Sequence, residues 1–317
     1  MKNTPRTIFS SLLFLATLFS SGPASSAIAT NGWMLEDLDY DARTLLVPAV
    51  KIRAGYLDAV ITPSQPFRGN VLYLEGLGDS MLNHDSLFQA LARSGYRVIA
   101  FDYMGQGGST GTMNHTRVAH SITPNLHIST IAEIVWKKFR HPQSKENEPP
   151  VVIGWSTGGL AAYDMAARGW ASQVILIAPG ICPRTSVGEG FLHGNEITLR
   201  TLTSAHELYA AKALANPHVD PIRPRSPLLV PAFASNLVAA AKKLRTTPIP
   251  STARGLVVIG ADDRYVKPEC TQEVLKKQAP HFKFIQLAGA RHEIHNEVPA
   301  IDAVFRRAVS EFLNLNW

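Results

Sequence analysis

The chain has 317 residues, of which 45% are hydrophobic and 18% charged, a composition that builds a globular protein with a sizeable core and excludes a disordered chain. Its formal net charge of +6 comes from basic residues spread mostly singly or in pairs, which excludes the dense basic run of a nucleic-acid binder. Two cysteines, Cys182 and Cys270, lack any metal-ligand spacing and leave one disulfide or two buried thiols.

At the amino end, Lys2 and Arg6 precede an apolar run over residues 8–19, and SSGPASSAIAT then places small residues around Ala27, Ile28 and Ala29. That order is a secretory leader cut after Ala29. The apolar run is shorter than the ~20 residues that span a bilayer. The mature chain is expected to be exported, periplasmic or secreted, with a net charge of +4 once Lys2 and Arg6 are lost. An oxidising compartment permits the Cys182–Cys270 bridge without requiring it.

Residues 45–52 and 54–61 then read as an antiparallel edge pair of strands. NVLYLEG (70–76) is a strand, HDSLFQALARSGY (84–96) a helix with Asp85 as its N-cap, and RVIAFD (97–102) the next strand. A helix at 125–140, strand 150–155, helix 157–168 and strands 173–178 and 255–260 follow, then helix 268–279, strand 282–287 and a last helix from about 300. Near-continuous apolar strands alternating with helices predict an α/β fold with a mostly parallel sheet covered on both faces. Between residues 182 and 250 the alternation stops, and prolines surround two alanine-rich helical pieces, SAHELYAAKALA and PAFASNLVAAAKKL. This stretch is expected to be a helical cap inserted within a single domain over 30–317.

The chemistry is announced by VVIGWSTGGL (151–160), where a β-branched run meets a glycine-flanked serine with no linker. Gly154-Trp155-Ser156-Thr157-Gly158 is the G-x-S-x-G elbow in a strand–turn–helix setting, which presents Ser156 beyond a strand end. A serine hydroxyl needs a base and an orienting acid. LAGARHEIHNE offers His292, nearest its strand end, and His295; GLVVIGADDRYV offers Asp262 and Asp263.

With these motifs in order, the chain resembles an α/β-hydrolase of the monoacylglycerol lipase, lysophospholipase and serine-aminopeptidase branch over residues 45–315. FDYMGQGGS (101–109) is similar to the branch's D-x-x-G-x-G-x-S turn and GARHE to its histidine turn. The resemblance implies a triad of Ser156, Asp263 and His292, with Asp263 preferred because the branch's acid is commonly the third residue after the strand-ending glycine. Where many relatives carry His-Gly-x, this chain has LEGLGDS, with Glu75 in the histidine's place. The implied oxyanion donors are the backbone N–H groups of Leu77 and Thr157. Glu75 reads as a structural carboxylate bonded to loop amides, and Trp155 as packing. His84, His115, His120 and His127 read as surface or capping residues, and His295 as a partner of His292.

The expected function is a serine hydrolase of carboxylic esters with apolar acyl chains, lysophospholipase-like or monoacylglycerol lipase-like, needing no cofactor and no metal. Its partner is a small-molecule or lipid ester, not nucleic acid. An acyltransferase, an aminopeptidase-type amide hydrolase and a non-catalytic binding module are the alternatives. Leu237 and Val238 are expected to line the acyl pocket. Arg223, Arg225, Lys242, Lys243 and Arg245 are either a solvated face or a contact to an anionic membrane surface.

Overall fold

Five short runs, VLYL, VIAF, VVIGW, VILI and LVVIG, are apolar along their whole length, and such runs are stable only as strands buried on both faces. The computed structural model describes residues 29–30, 32–40, 50–110, 127–145, 148–184, 231–315 and 317. Its strands are β1 (Ala29–Thr30), β2 (Trp33–Tyr40), β3 (Val50–Leu57), β4 (Gly69–Leu74), β5 (Tyr96–Phe101), β6 (Val151–Trp155), β7 (Gln173–Ile177), β8 (Arg254–Gly260) and β9 (Lys283–Leu287). They form one nine-stranded sheet in the order β1-β2-β3-β5-β4-β6-β7-β8-β9. From β5 to β9 every pairing is parallel, and β1, β2 and β3 join antiparallel at one edge.

Side chains alternate across each strand, so the sheet feeds two cores. Leu72, Leu74, Val152, Leu176 and Val257 point to the face packed by α2 (His127–Phe139), α3 (Thr157–Ala167), α4 (Pro231–Leu244) and α5 (Pro268–Gln278). Val71, Tyr73, Ile153, Ile175 and Val258 point to the other, packed by α1 (Asp85–Arg93) and α6 (Pro299–Leu313). Both faces are covered, as the strand composition requires.

The edge differs from the sequence reading. Its antiparallel pair is β2 with β3, from Trp33↔Leu57 to Tyr40↔Val50, not 45–52 with 54–61. Three acidic residues in WMLEDLDY obscure its period, yet Trp33, Leu35 and Leu38 are buried and the acids lie on the outer positions. The start of α1 differs too: Asp85 lies in its first turn, and His84 occupies the N-cap position without a capping side-chain hydrogen bond.

Cys182 and Cys270 form a disulfide spanning 88 residues of sequence, so of the two alternatives the bridge is formed. It ties the chain leaving β7 to the first turns of α5. Most of the expected leader, and of the expected cap all but residues 182–184 and 231–250, lie outside the described residues. Among the described residues no helix is long and apolar enough to cross a membrane.

Candidate active site

The parallel strands β6, β8 and β9 bring their carboxyl ends to one edge of the sheet, where loops are free to carry reactive side chains. Ser156 follows β6 directly and turns the chain into α3 at φ 54° and ψ −111°, a conformation unfavourable for a non-glycine residue. The turn is this tight because its neighbours have no side chains. A Cβ on Gly154 would lie 2.3 Å from the Gly158 carbonyl oxygen, and one on Gly158 would lie 2.1 Å from that of Leu74. Backbone bonds from Ser156 N–H to Ile177 O (2.9 Å) and from Gly180 N–H to Ser156 O (2.8 Å) lock the elbow.

The structure brings Ser156, His292 and Asp263 into one hydrogen-bonded chain. Ser156 Oγ lies 2.8 Å from His292 Nε2, and His292 Nδ1 lies 2.8 Å from Asp263 Oδ2. His292 and Asp263 are buried, while the serine keeps partial access to solvent. Asp263 is held by its other oxygen: Oδ1 accepts from Tyr265 N–H (2.7 Å) and Val266 N–H (2.9 Å). A carboxylate can only accept, so Nδ1 carries the proton toward Asp263 and Nε2 is left to accept from the serine hydroxyl. Asp262 is directed elsewhere, onto an exposed surface.

The amides of Leu77 and Thr157 make no hydrogen bond among the described residues. Thr157 opens α3, where a helix dipole adds positive potential. The loop carrying Leu77 is held from behind. Glu75 Oε1 accepts from Tyr103 N–H (2.9 Å) and Gln106 Nε2 (2.9 Å), and Gln106 Oε1 accepts from Gly78 N–H (2.7 Å). The reading of Glu75 as a structural carboxylate thus matches its bonds. Burial, reinforced by Asp102 and Asp79, pushes the Glu75 acid well above the usual carboxylate range. Gln106 went unremarked in the sequence because it occupies a variable place in the D-x-x-G-x-G-x-S turn. Asp102 of that turn forms a buried ion pair with Arg53 and accepts from Met81 N–H (2.8 Å) and Gly108 N–H (2.9 Å).

The histidines of the flanking loops depart from expectation. His84 is fully buried, neither on the surface nor capping, because its ring is needed inside: Nε2 meets Asp79 Oδ2 at 2.5 Å and Nδ1 meets His295 Nε2 at 2.8 Å. His295 therefore partners His84, and burial, with His84 adding to it, lowers its pKa well below the usual imidazole range. Potential metal-ligating atoms of His84, Glu293 and His295 lie within 4.8 Å of one another. A tetrahedral ion with bonds near 2.0–2.1 Å would separate two nitrogens by about 3.3 Å. At 2.8 Å the two rings hold each other by a hydrogen bond instead. Trp155 packs against both histidine groups and also donates from its indole to His292 O (2.9 Å). His127 begins α2, and His115 and His120 lie outside the described residues.

Leu237 and Val238 lie in α4, both half-buried, with Leu237 against the core cluster on that face. Lys242 and Lys243 end this helix and are exposed; just beyond, Ile249 N–H donates to Gln278 O at the end of α5. That bond puts Lys242, Lys243 and Arg245 near the amino ends of β8 and β9, opposite the serine. Arg223 and Arg225 lie outside the described residues.

Residues 65–299 match the protein family described as serine aminopeptidase, S33. A crystal structure of a monoacylglycerol lipase from Paleococcus ferrophilus is similar, with 19% identity, a TM-score of 0.62 and coverage of 83% of this chain and 98% of that one. A soluble variant of monoglyceride lipase from Saccharomyces cerevisiae, bound to a substrate analogue, is 15% identical with a TM-score of 0.61, covering 92% and 97%. Est1E from Butyrivibrio proteoclasticus, with ferulic acid bound, is 17% identical with a TM-score of 0.56, covering 84% and 95%. Among curated proteins none matches.

Proposed function

Because the chain belongs to the serine aminopeptidase, S33, family of hydrolases and has the α/β-hydrolase fold, we propose that it cleaves carboxylic esters of apolar acyl chains through an acyl-enzyme on Ser156. The observation that carries this reading is the Ser156–His292–Asp263 chain at a strained elbow, with both hydrogen bonds at 2.8 Å. In the first step His292 Nε2 takes the hydroxyl proton as Ser156 Oγ attacks the acyl carbon. Asp263 stabilises the resulting imidazolium, and the Leu77 and Thr157 amides receive the oxyanion. The alcohol leaves with the proton from His292. Water then attacks the acyl-enzyme by the same route in reverse, and the acid is released.

Esters are favoured over amino-terminal peptides by composition. The segment over 182–250 is rich in alanine and leucine, whereas a free amino group would call for a cluster of carboxylates. Export is supported by the Cys182–Cys270 bridge, since disulfides persist in oxidising compartments. The placement of Lys242, Lys243 and Arg245 away from the serine favours a solvated face over a membrane contact that would deliver lipid to the site.

Purified protein assayed on p-nitrophenyl esters of graded chain length, beside aminoacyl p-nitroanilides, tests the reading. Ester turnover that rises from acetate to longer chains and is weak on the anilides is expected. Replacing Leu237 or Val238 with Asp should lower turnover of long esters far more than of acetate. Turnover of anilides alone would make the protein a peptidase, and ester consumption that yields mainly transesterified product with an added alcohol would make it an acyltransferase.

A further inference from the structure

Beside the triad acid is a cavity of about 420 Å³, lined by Arg184, Ala261, Asp262, Asp263, Arg264 and Arg291. Three guanidinium groups line one hollow, and those of Arg184 and Arg264 face it with their charge open to an entering anion. The opposing acids in the wall are Asp262 and Asp263, the latter turned to His292 and two backbone amides, so arginines outnumber carboxylates three to two.

The position of Arg184 is built in. The Cys182–Cys270 disulfide, the Pro183↔Val266 bridge and the bonds from Lys267 N–H to Cys182 O and Arg184 N–H to Tyr265 O, both 2.8 Å, fasten its segment to the loop bearing Asp263. Its Nε donates to Asp263 O (3.0 Å), while its terminal nitrogens have no partner among the described residues. The Arg264 side chain has none there either, and is exposed. Arg291 immediately precedes His292 in the chain, and the cavity borders Asp263 itself.

We propose that this cavity is a subsite for an oxyanion, a phosphate or carboxylate, carried by the ester substrate away from its scissile bond. The inference deepens the ester-hydrolase reading and rests on it. Planar guanidinium forks bind such groups in two-point fashion, so the subsite orients the substrate as well as attracting it.

The test uses the whole protein and paired soluble esters with matched carbon skeletons, one neutral and one anionic. The pairs are ethyl butanoate with 2-phosphonooxyethyl butanoate, and p-nitrophenyl pentanoate with the mono-p-nitrophenyl ester of glutaric acid. The readout is the ratio of kcat/KM, anionic over neutral, for at least one pair. In the native protein the ratio is expected to exceed one and to fall with added salt as screening grows. Arg264→Gln and Arg184→Gln should each lower it by about tenfold, the scale of a charge-assisted bidentate contact. Asp262→Asn should raise it, a change of opposite sign that a merely structural role would not produce. A ratio near one in the native protein for both pairs, or equal losses on anionic and neutral esters in the arginine variants, overturns the proposal. So does inorganic phosphate that binds by calorimetry at these arginines yet leaves the ratio untouched, since the ligand would then be the free ion. Absence of turnover on every ester, neutral ones included, refutes the underlying ester-hydrolase reading instead.

Discussion

Replacing Asp263 with Asn removes one charge and changes almost no volume, yet its consequence follows from three hydrogen bonds. Asp263 Oδ1 accepts from the amides of Tyr265 and Val266 at 2.7 and 2.9 Å. In the variant only the amide oxygen can accept those bonds, so the NH2 group must face His292 Nδ1, 2.8 Å away. Nδ1 then becomes the acceptor and the ring proton moves to Nε2, which points at Ser156 Oγ and can no longer receive its proton. The wrong tautomer and the lost charge together should lower kcat by about 10⁴, which is about 5.4 kcal/mol of barrier. Asp262→Asn, which leaves all three bonds intact, should stay within about threefold of the native rate on a neutral ester, as expected for an exposed surface change. Initial rates on p-nitrophenyl butyrate, with circular dichroism to verify folding, make the comparison. A folded Asp263→Asn protein within tenfold of native, or an equal loss in Asp262→Asn, would refute the tautomer argument.

Ser156→Ala should abolish labelling by a fluorophosphonate and reduce turnover by about 10⁴ or more, measured by gel fluorescence and initial rates. The Cys182→Ser/Cys270→Ser double variant, freed of a bridge across 88 residues, should lose about 2–4 kcal/mol in a urea titration; an unchanged midpoint would show that the bridge constrains little. Glu75 has its folded pKa raised above the ordinary 4.5, so the folded state binds that proton more tightly. The stability it contributes is present below pH 4.5 and is lost as pH rises through the raised value. Glu75→Gln keeps an acceptor for Tyr103 and Gln106 and cannot ionise, so its Tm should decline less with rising pH than that of the native protein; parallel profiles would contradict this.

Much of the fold was legible because it depends on neighbours in the chain. Strand runs such as VVIGW and helix periods such as that of residues 85–93 reflect local patterning, and the strands and helices expected from 70 onward, where they fall in the described residues, have ends within three residues of those observed. The edge strand over 33–40 was missed because its acids sit at solvent-facing positions, and only pairing with 50–57 reveals which side is inside. The serine elbow was equally readable, since Gly154 and Gly158 are demanded by contacts within one turn. What lies across the chain was not.

From sequence alone the residues set out a serine at a strand–turn–helix elbow, a histidine and a pair of candidate acids at strand ends, because spacing along parallel strands puts all of them on one edge. The resemblance preferred Asp263 to Asp262, but only the tertiary structure supplies the physical reason: a loop that offers two amides to Asp263 turns it inward. Tertiary structure alone joined His84 to His295, 211 residues apart, turning two unremarkable histidines into one buried group. It alone closed the Cys182–Cys270 bridge and drew Arg184 beside Asp263. Local pattern specifies which segments become strands and helices, but contacts between distant side chains exist only once packing has removed water and fixed their distances.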